Sequence, residues 1–328
     1  DGVSSSELYS YYENSNPDAV ILHQSDVVDF LQETYHEIGT KNLASKIDQS
    51  STVLGYGVTA DILMDQWFNS IESGGYISSE GLYLDRLIER GLLGAVMYFQ
   101  ASTVYLNGIE NRDNSIQYQD DRPYTQMEHY WDEAFGYFGA SRDYGNQDNQ
   151  TQKFWFDSNS DGYIDYLSEC NLGWAPYAAK RDNCDECDTR NFASTLFNAF
   201  VLGRHLISTG SPIDQVLAQR DIILSTWEML IAANIIHYIN DFENYSDFVV
   251  VEDFLSDWSK MRGHAIALQF NTSGMSIISN NDLSDIINLM GDVPPSESQL
   301  PSYLTDLAAI KDMFKNIYSF TDNDLANW

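Results

Sequence analysis

At 328 residues the chain is too long for one small core and too short for three ordinary domains. Its content of 43% hydrophobic and 13% aromatic residues excludes a disordered chain. With 49 Asp and Glu against 17 Lys and Arg, the formal charge of -32 argues against nucleic acid and anionic lipid as partners and fits cation capture or solubility in salt.

Asp1 to Pro17 is polar, rich in Ser, Tyr and Asn, and without helical period, which predicts an extended leader behind a processed export signal. From Ser25 to Ile47 the stripe Val28, Phe30, Leu31, Tyr35 and Ile38 predicts a first helix, with Ser25 and Asp26 as capping residues. Further helices are predicted over Thr59 to Ile71 and Ser79 to Leu106. In the second of these Gly91 and Gly94 share the apolar face, which calls for close packing against another helix. Pro123 marks the start of a helix whose stripe is Met127, Trp131, Ala134 and Phe138.

Gly139 to Lys180 shows no period. Helices resume at Phe192 to Ile207, Ile213 to Ile239, Val250 to Leu268 and Leu304 to Tyr318, the last behind a Gly291 to Ser296 breaker containing two prolines. No apolar run reaches the roughly 18 residues of a membrane span. The class is therefore all-α, two packed antiparallel bundles with a loop-rich insertion. The boundaries expected are an extended leader or linker over 1–19, a first bundle over 20–140, a calcium-loop and cysteine insertion over 141–190, and a second bundle over 191–328.

The sharpest chemical motif is Asp157-Ser-Asn-Ser-Asp-Gly-Tyr-Ile-Asp165. Oxygen ligands from Asp157, Asn159 and Asp161, a turn-permitting Gly162, the Tyr163 carbonyl and the Asp165 carboxylate are the donors that Ca²⁺ takes from an EF-hand or dockerin loop. The glutamate usual at the twelfth position is replaced by Ser168, with Glu169 one residue late. Just downstream, Cys170, Cys184 and Cys187 cluster outside the helices and predict a disulfide of an exporting compartment, from Cys170 to Cys184 or Cys187 with one thiol left over. The pairing stays open, and no second CxxC or His pair supports zinc there.

In the helix beginning near Pro123, His129 and Glu133 stack at i, i+4, with Glu128 and Asp132 on the flank of the apolar stripe. The four form a candidate ligand site for iron, zinc or another divalent ion. His205, His237 and His264 read as hydrogen-bonded core histidines. No zincin, di-iron or Ser-His-Asp pattern is present.

Tyr124-Thr-Gln-Met-Glu-His-Tyr-Trp-Asp-Glu-Ala-Phe-Gly-Tyr137 resembles the signature of a bacterial family that sits beside the imelysins. The preceding Gly91-Leu-Leu-Gly-Ala-Val-Met-Tyr-Phe-Gln100 is similar to the helix before that signature. Asp257-Trp-Ser-Lys-Met-Arg-Gly-His-Ala-Ile-Ala-Leu-Gln-Phe-Asn271 looks like an imelysin-type helix end. The resemblance implies paired helical bundles, an exported or lipid-tethered protein and an association with iron uptake. Imelysins carry a Gly-x-His-x-x-Glu motif linked to a peptidase activity; here its glycine is Met127 and its glutamate Asp132, so a peptidase is the less favoured implication.

These readings converge on an exported, non-catalytic metal-binding protein with a structural calcium loop, an iron-uptake accessory by resemblance. It would be periplasmic, outer-membrane-tethered or extracellular. The alternatives are a structural or adhesive surface subunit, with a cell-surface or self-assembly partner, and an imelysin-type metallopeptidase.

Overall fold

The computed structural model describes residues 4–22, 28–119, 121–148, 150–184, 190–244 and 251–328. In chain order the helices are α1 (Ser5–Tyr12), α2 (Tyr35–Ile38), α3 (Ala60–Gly74), α4 (Leu84–Leu92), α5 (Gln126–Phe138), α6 (Ala175–Asp182), α7 (Phe192–Ser208), α8 (Ile213–Asn244), α9 (Val251–Ala267), α10 (Asn280–Met290), α11 (Leu300–Tyr318) and α12 (Asp322–Asn327). The fold is all-α. Among the described residues sheet is confined to two pairs: β1 (Asp29–Phe30) runs parallel to β4 (Tyr163–Ile164), and β2 (Gln117–Gln119) antiparallel to β3 (Arg122–Thr125).

The centre is α8, packed between α7 and α9, with α4 on the other side of α9. Trp227, Leu230, Ile231, Ile235, Ile236 and Ile239 of α8 are fully buried, as expected of a helix that is apolar nearly all round. By length and composition Ile213–Glu243 is apolar enough to cross a membrane, contrary to the sequence reading, but 78% of its apolar window lies inside the fold. Burial against its neighbours accounts for its composition.

Small residues set how closely the helices approach. A Cβ on Gly94 would lie 2.5 Å from Ala267 Cα of α9, and one on Gly203 of α7 would overlap the Trp131 ring of α5. The Trp131 indole is thereby seated deep enough to donate to the Phe200 carbonyl at 2.8 Å. Beyond α4 the same helix continues as π-helical turns over Leu93–Tyr98 and Gln100–Leu106. Carbonyls in these turns serve neighbours: Leu93 accepts from Trp174 Nε1 at 2.9 Å and Ala95 from the Asp48 amide at 2.9 Å.

One buried carboxylate locks the far end. Glu228, with no exposed surface, accepts from the Ile277 and Ile278 amides, the Ser276 hydroxyl and the Tyr318 hydroxyl at 2.7 to 3.0 Å. Four donors offset the desolvation that pushes its carboxyl upward, and they tie α11 and the 276–278 backbone to α8. Buried side chains from Tyr12 to Trp328 form one continuous cluster, which includes Tyr144, Trp174 and Tyr177 of the 141–190 segment.

Three local expectations need correction. Residues 28–47 are not one helix: β1 and a single turn of α2 replace it, while residues 23–27 lie outside the described residues. Phe30 is drawn away to stack on Tyr166 at 4.8 Å and meet Trp155 edge-on at 5.7 Å, contacts that a helical period cannot announce. Within the expected leader, Ser5–Tyr12 form α1, whose Tyr9 and Tyr12 pack edge-on against Phe68 of α3. Pro123 belongs to β3; α5 begins after Thr125, which forms a reciprocal capping box with Glu128.

Candidate functional site

The loop from Asp157 to Glu169 is closed at its base by an antiparallel bridge. Trp155 pairs with Cys170, Phe156 N donates to the Glu169 carbonyl at 3.0 Å, and Asn171 N to that of Phe154 at 2.8 Å. Above the base the chain turns through two left-handed residues, Ser160 at φ 60° and Gly162 at φ 87°. Only glycine adopts the second of these without strain, which is why the motif places it there.

These turns point amides at the acidic side chains. Asp157 accepts from Asp161 N at 3.2 Å and Gly162 N at 3.0 Å, Asn159 Oδ1 from Asp161 N at 2.9 Å, and Asp161 Oδ1 from Tyr163 N at 2.9 Å. Each carboxylate oxygen keeps a free lone pair after one such bond. The residues predicted at alternate positions are therefore held together in one turn, where Asn159 Nδ2 also donates to Asp161 Oδ2 at 2.9 Å. Asp165 is set differently: its oxygens take Gln32 Nε2, Leu167 N and the Ser168 hydroxyl at 2.7 to 2.9 Å. Burial works against its charge, but these bonds prevail and hold its carboxyl below the usual range.

Glu169 braces the loop. It is buried, and its two oxygens accept from the Ser158 amide and hydroxyl and from the Asp165 amide at 2.8 to 3.0 Å. The carboxylate expected as a late ligand thus spans the second and ninth loop positions. The parallel pairing of Tyr163 and Ile164 with Asp29 and Phe30 anchors the other side, with Leu31 N donating to the Ile164 carbonyl at 3.0 Å. Gln32 completes that anchor by accepting from Tyr166 N at 2.9 Å while donating to Asp165. Sequence reasoning missed Gln32 and β1, since nothing local to either predicts a partner so far along the chain.

The second predicted cluster is divided between two flanks of α5. On one flank Arg204 of α7 pairs with Glu128 at 2.5 Å and Asp132 at 2.8 Å, and Ser208 donates to Glu128 at 2.7 Å. On the other, His129 lies nearly parallel to Tyr118 and Tyr124, and Glu133 pairs with Lys41 at 3.1 Å. His129 Nε2 and Glu133 Oε1 are 3.9 Å apart beside a cleft of about 570 Å³ that Asp132, Lys41, Lys46 and Tyr137 also line. Three of the four predicted residues thus border one cleft, and Glu128 does not. Among the described residues no three His, Cys, Asp or Glu side chains group as a metal site. The loop reaches a calcium donor set only when Asn159 and the Tyr163 carbonyl are counted with the acids.

The chain matches the family described as Domain of unknown function (DUF4856) over residues 5–293. It belongs to that family. No curated protein and no solved structure matches it. The DUF4856 span contains β1, the loop and both flanks of α5, whereas α11 and α12 follow it.

Within the DUF4856 span Cys170 departs from expectation. Cys170 is a free, buried thiol pushed up to about 12, chiefly by burial and then by Asp165 and Glu169, so it closes no disulfide. Its place in the bridge under the loop makes it a small apolar residue of the base. Cys184 is disulfide-bonded and lies beside the chain's last residues, its Sγ 3.3 Å from the Asn327 carbonyl, and Cys187 lies outside the described residues.

Of the histidines expected in the core, His205 is exposed and His237 half-buried, 3.6 Å from Asp241. His264 is fully buried among Trp174, Tyr177 and Tyr238, and neither ring nitrogen has a hydrogen-bond partner. Burial, then Arg90 and Arg181, hold it well below the usual histidine range and keep it neutral.

Proposed function

We propose that this protein is a non-catalytic calcium-binding protein of an extracytoplasmic compartment, with Ca²⁺ held by Asp157, Asn159, Asp161, the Tyr163 carbonyl and Asp165, the last directly or through water. The observation that carries the reading is the turn itself. Its amides already hold Asp157, Asn159 and Asp161 together, and Gly162 supplies the sharp bend such a donor set needs. The ion orders a polar segment and performs no chemistry.

One feature fits a compartment rich in calcium. Glu169 is engaged within the loop, so no bidentate glutamate completes the shell, and few charged ligands give affinities suited to about 10⁻⁴–10⁻³ M calcium. The imelysin-like kinship of the α5 signature belongs to the same reading. Its iron and peptidase implications receive no support from Glu128 and Asp132, which are committed to Arg204.

Isothermal titration with Ca²⁺ is expected to give one site per chain, weaker binding of Mg²⁺, and loss of the site in Asp161→Ala. Equal heats for the parent and Asp161→Ala would remove the proposal.

A further inference from the structure

A polar cavity of about 350 Å³ lies away from the loop, where the end of α6 meets α8 and the chain's last residues; its wall includes Lys180, Arg181, His237, Asn240, Asp241 and Trp328. In a chain carrying 49 acidic residues against 17 Lys and Arg, most cations find a carboxylate at once. Arg181 does not. It is only 8% exposed, its Nε has no hydrogen-bond partner, and no carboxylate among the described residues pairs with it.

The described surroundings supply the missing charge only in part. Lys180 lies 5.1 Å over the Tyr177 ring and forms no ion pair among the described residues. Nearby acids are engaged elsewhere: Glu89 with Arg90, and Asp257 with Lys260. Asn240 is spent on the Trp328 carbonyl and on Lys311. Asp241, the cavity's carboxylate, faces His237 at 3.6 Å and attracts Arg181 without forming an ion pair with it. A guanidinium withdrawn from water without a paired carboxylate is disfavoured, and an anion that completes the site offsets that penalty.

We propose that this cavity binds a small oxyanion, with the Arg181 guanidinium as its forked donor and Lys180 and His237 as flanking donors. Arginine's planar fork matches the paired oxygens of a carboxylate or a tetrahedral oxyanion, which makes those the ligand chemistry. His237, lowered to about 4 chiefly by burial and then by Arg181, contributes as a neutral ring. Asp241 opposes the ligand and sets an upper limit on affinity. The site is independent of calcium.

The test titrates sulfate and, separately, acetate into the full chain at constant ionic strength, read by calorimetry and melting temperature. Saturable binding of either is expected, and which one binds distinguishes a tetrahedral from a carboxylate ligand. Arg181→Gln should weaken it by about tenfold or more, and Asp241→Asn should tighten it. Asp241→Asn keeps the test decisive if Arg181→Gln fails to fold. No saturable response to either anion, or Asp241→Asn binding no more tightly than the parent, overturns the proposal.

Discussion

The stack of α4, α9, α8 and α7, with α5 against it, and the loop from Phe154 to Asn171 are held by different forces. In the stack, apolar side chains with no exposed surface interdigitate, Gly94 brings its helix almost into backbone contact with Ala267, and Gly203 admits the Trp131 ring. In the loop the contacts are amides on carboxylates, and Asn159, Asp161 and Tyr163 stay exposed. Dispersion and hydrophobic burial act whatever the solution contains. Exposed hydrogen bonds exchange with water at little net gain, so a segment built from them needs a further ligand to become rigid.

The largest effect expected from breaking this contrast is in the stack. Trp131→Ala removes a buried indole seated over Gly203 and leaves the Phe200 carbonyl without its donor. Denaturant unfolding should show a loss of about 3–5 kcal/mol, the same with calcium or with EGTA. A calcium-dependent loss would mean that the two regions are not energetically separate.

Next is a pH effect at the edge of the stack. His237, at about 4 in the folded protein, and His264, lower than usual, bind protons more readily once unfolded, where the ordinary value is 6.5. Unfolding therefore takes up protons below pH 6.5, and the stability present above that value is lost as pH falls toward the folded-state values. Asp182 acts oppositely: burial raises it to about 6, so its contribution is present at low pH and lost as pH rises through 6. The comparison that isolates the histidine is parent against His264→Phe, which keeps the ring packing and breaks no hydrogen bond. Its stability should fall less steeply with acid, by about 1.4 kcal/mol per pH unit within the window. Parallel profiles would show that His264 does not titrate on unfolding.

The smallest effect is expected at Arg204→Gln. The pairs with Glu128 and Asp132 are partly exposed, and equilibrium unfolding should register about 1 kcal/mol or less. A much larger loss would place that flank of α5 with the stack.

How far each region could be read beforehand follows from the same contrast. The helix α7 was legible because burial along one face leaves a stripe in the sequence, and α8 because it is apolar nearly all round. The π-helical turns after α4 were not, since Leu93 to Leu106 keeps an apolar pattern while its carbonyls turn to Trp174 and Asp48. The loop's acids were legible from their fixed spacing around Gly162. Glu169 as a brace, Gln32 as an anchor and Arg204 between two acids are pairings across the fold, and neither spacing nor period encodes them. The stripe from Val28 to Ile38 misled for the same reason, because Phe30 answers to Tyr166 and Trp155.

The measurement that tests the central claim most directly is amide hydrogen exchange of the full chain in Ca²⁺ and in EGTA. Calcium should slow exchange at Asp161, Gly162 and Tyr163, whose amides rest on Asp157, Asn159 and Asp161, and leave Leu230 to Ile239 of α8 unchanged. Loop amides that exchange equally fast in both conditions would contradict the account and leave this segment an acidic turn without an ion.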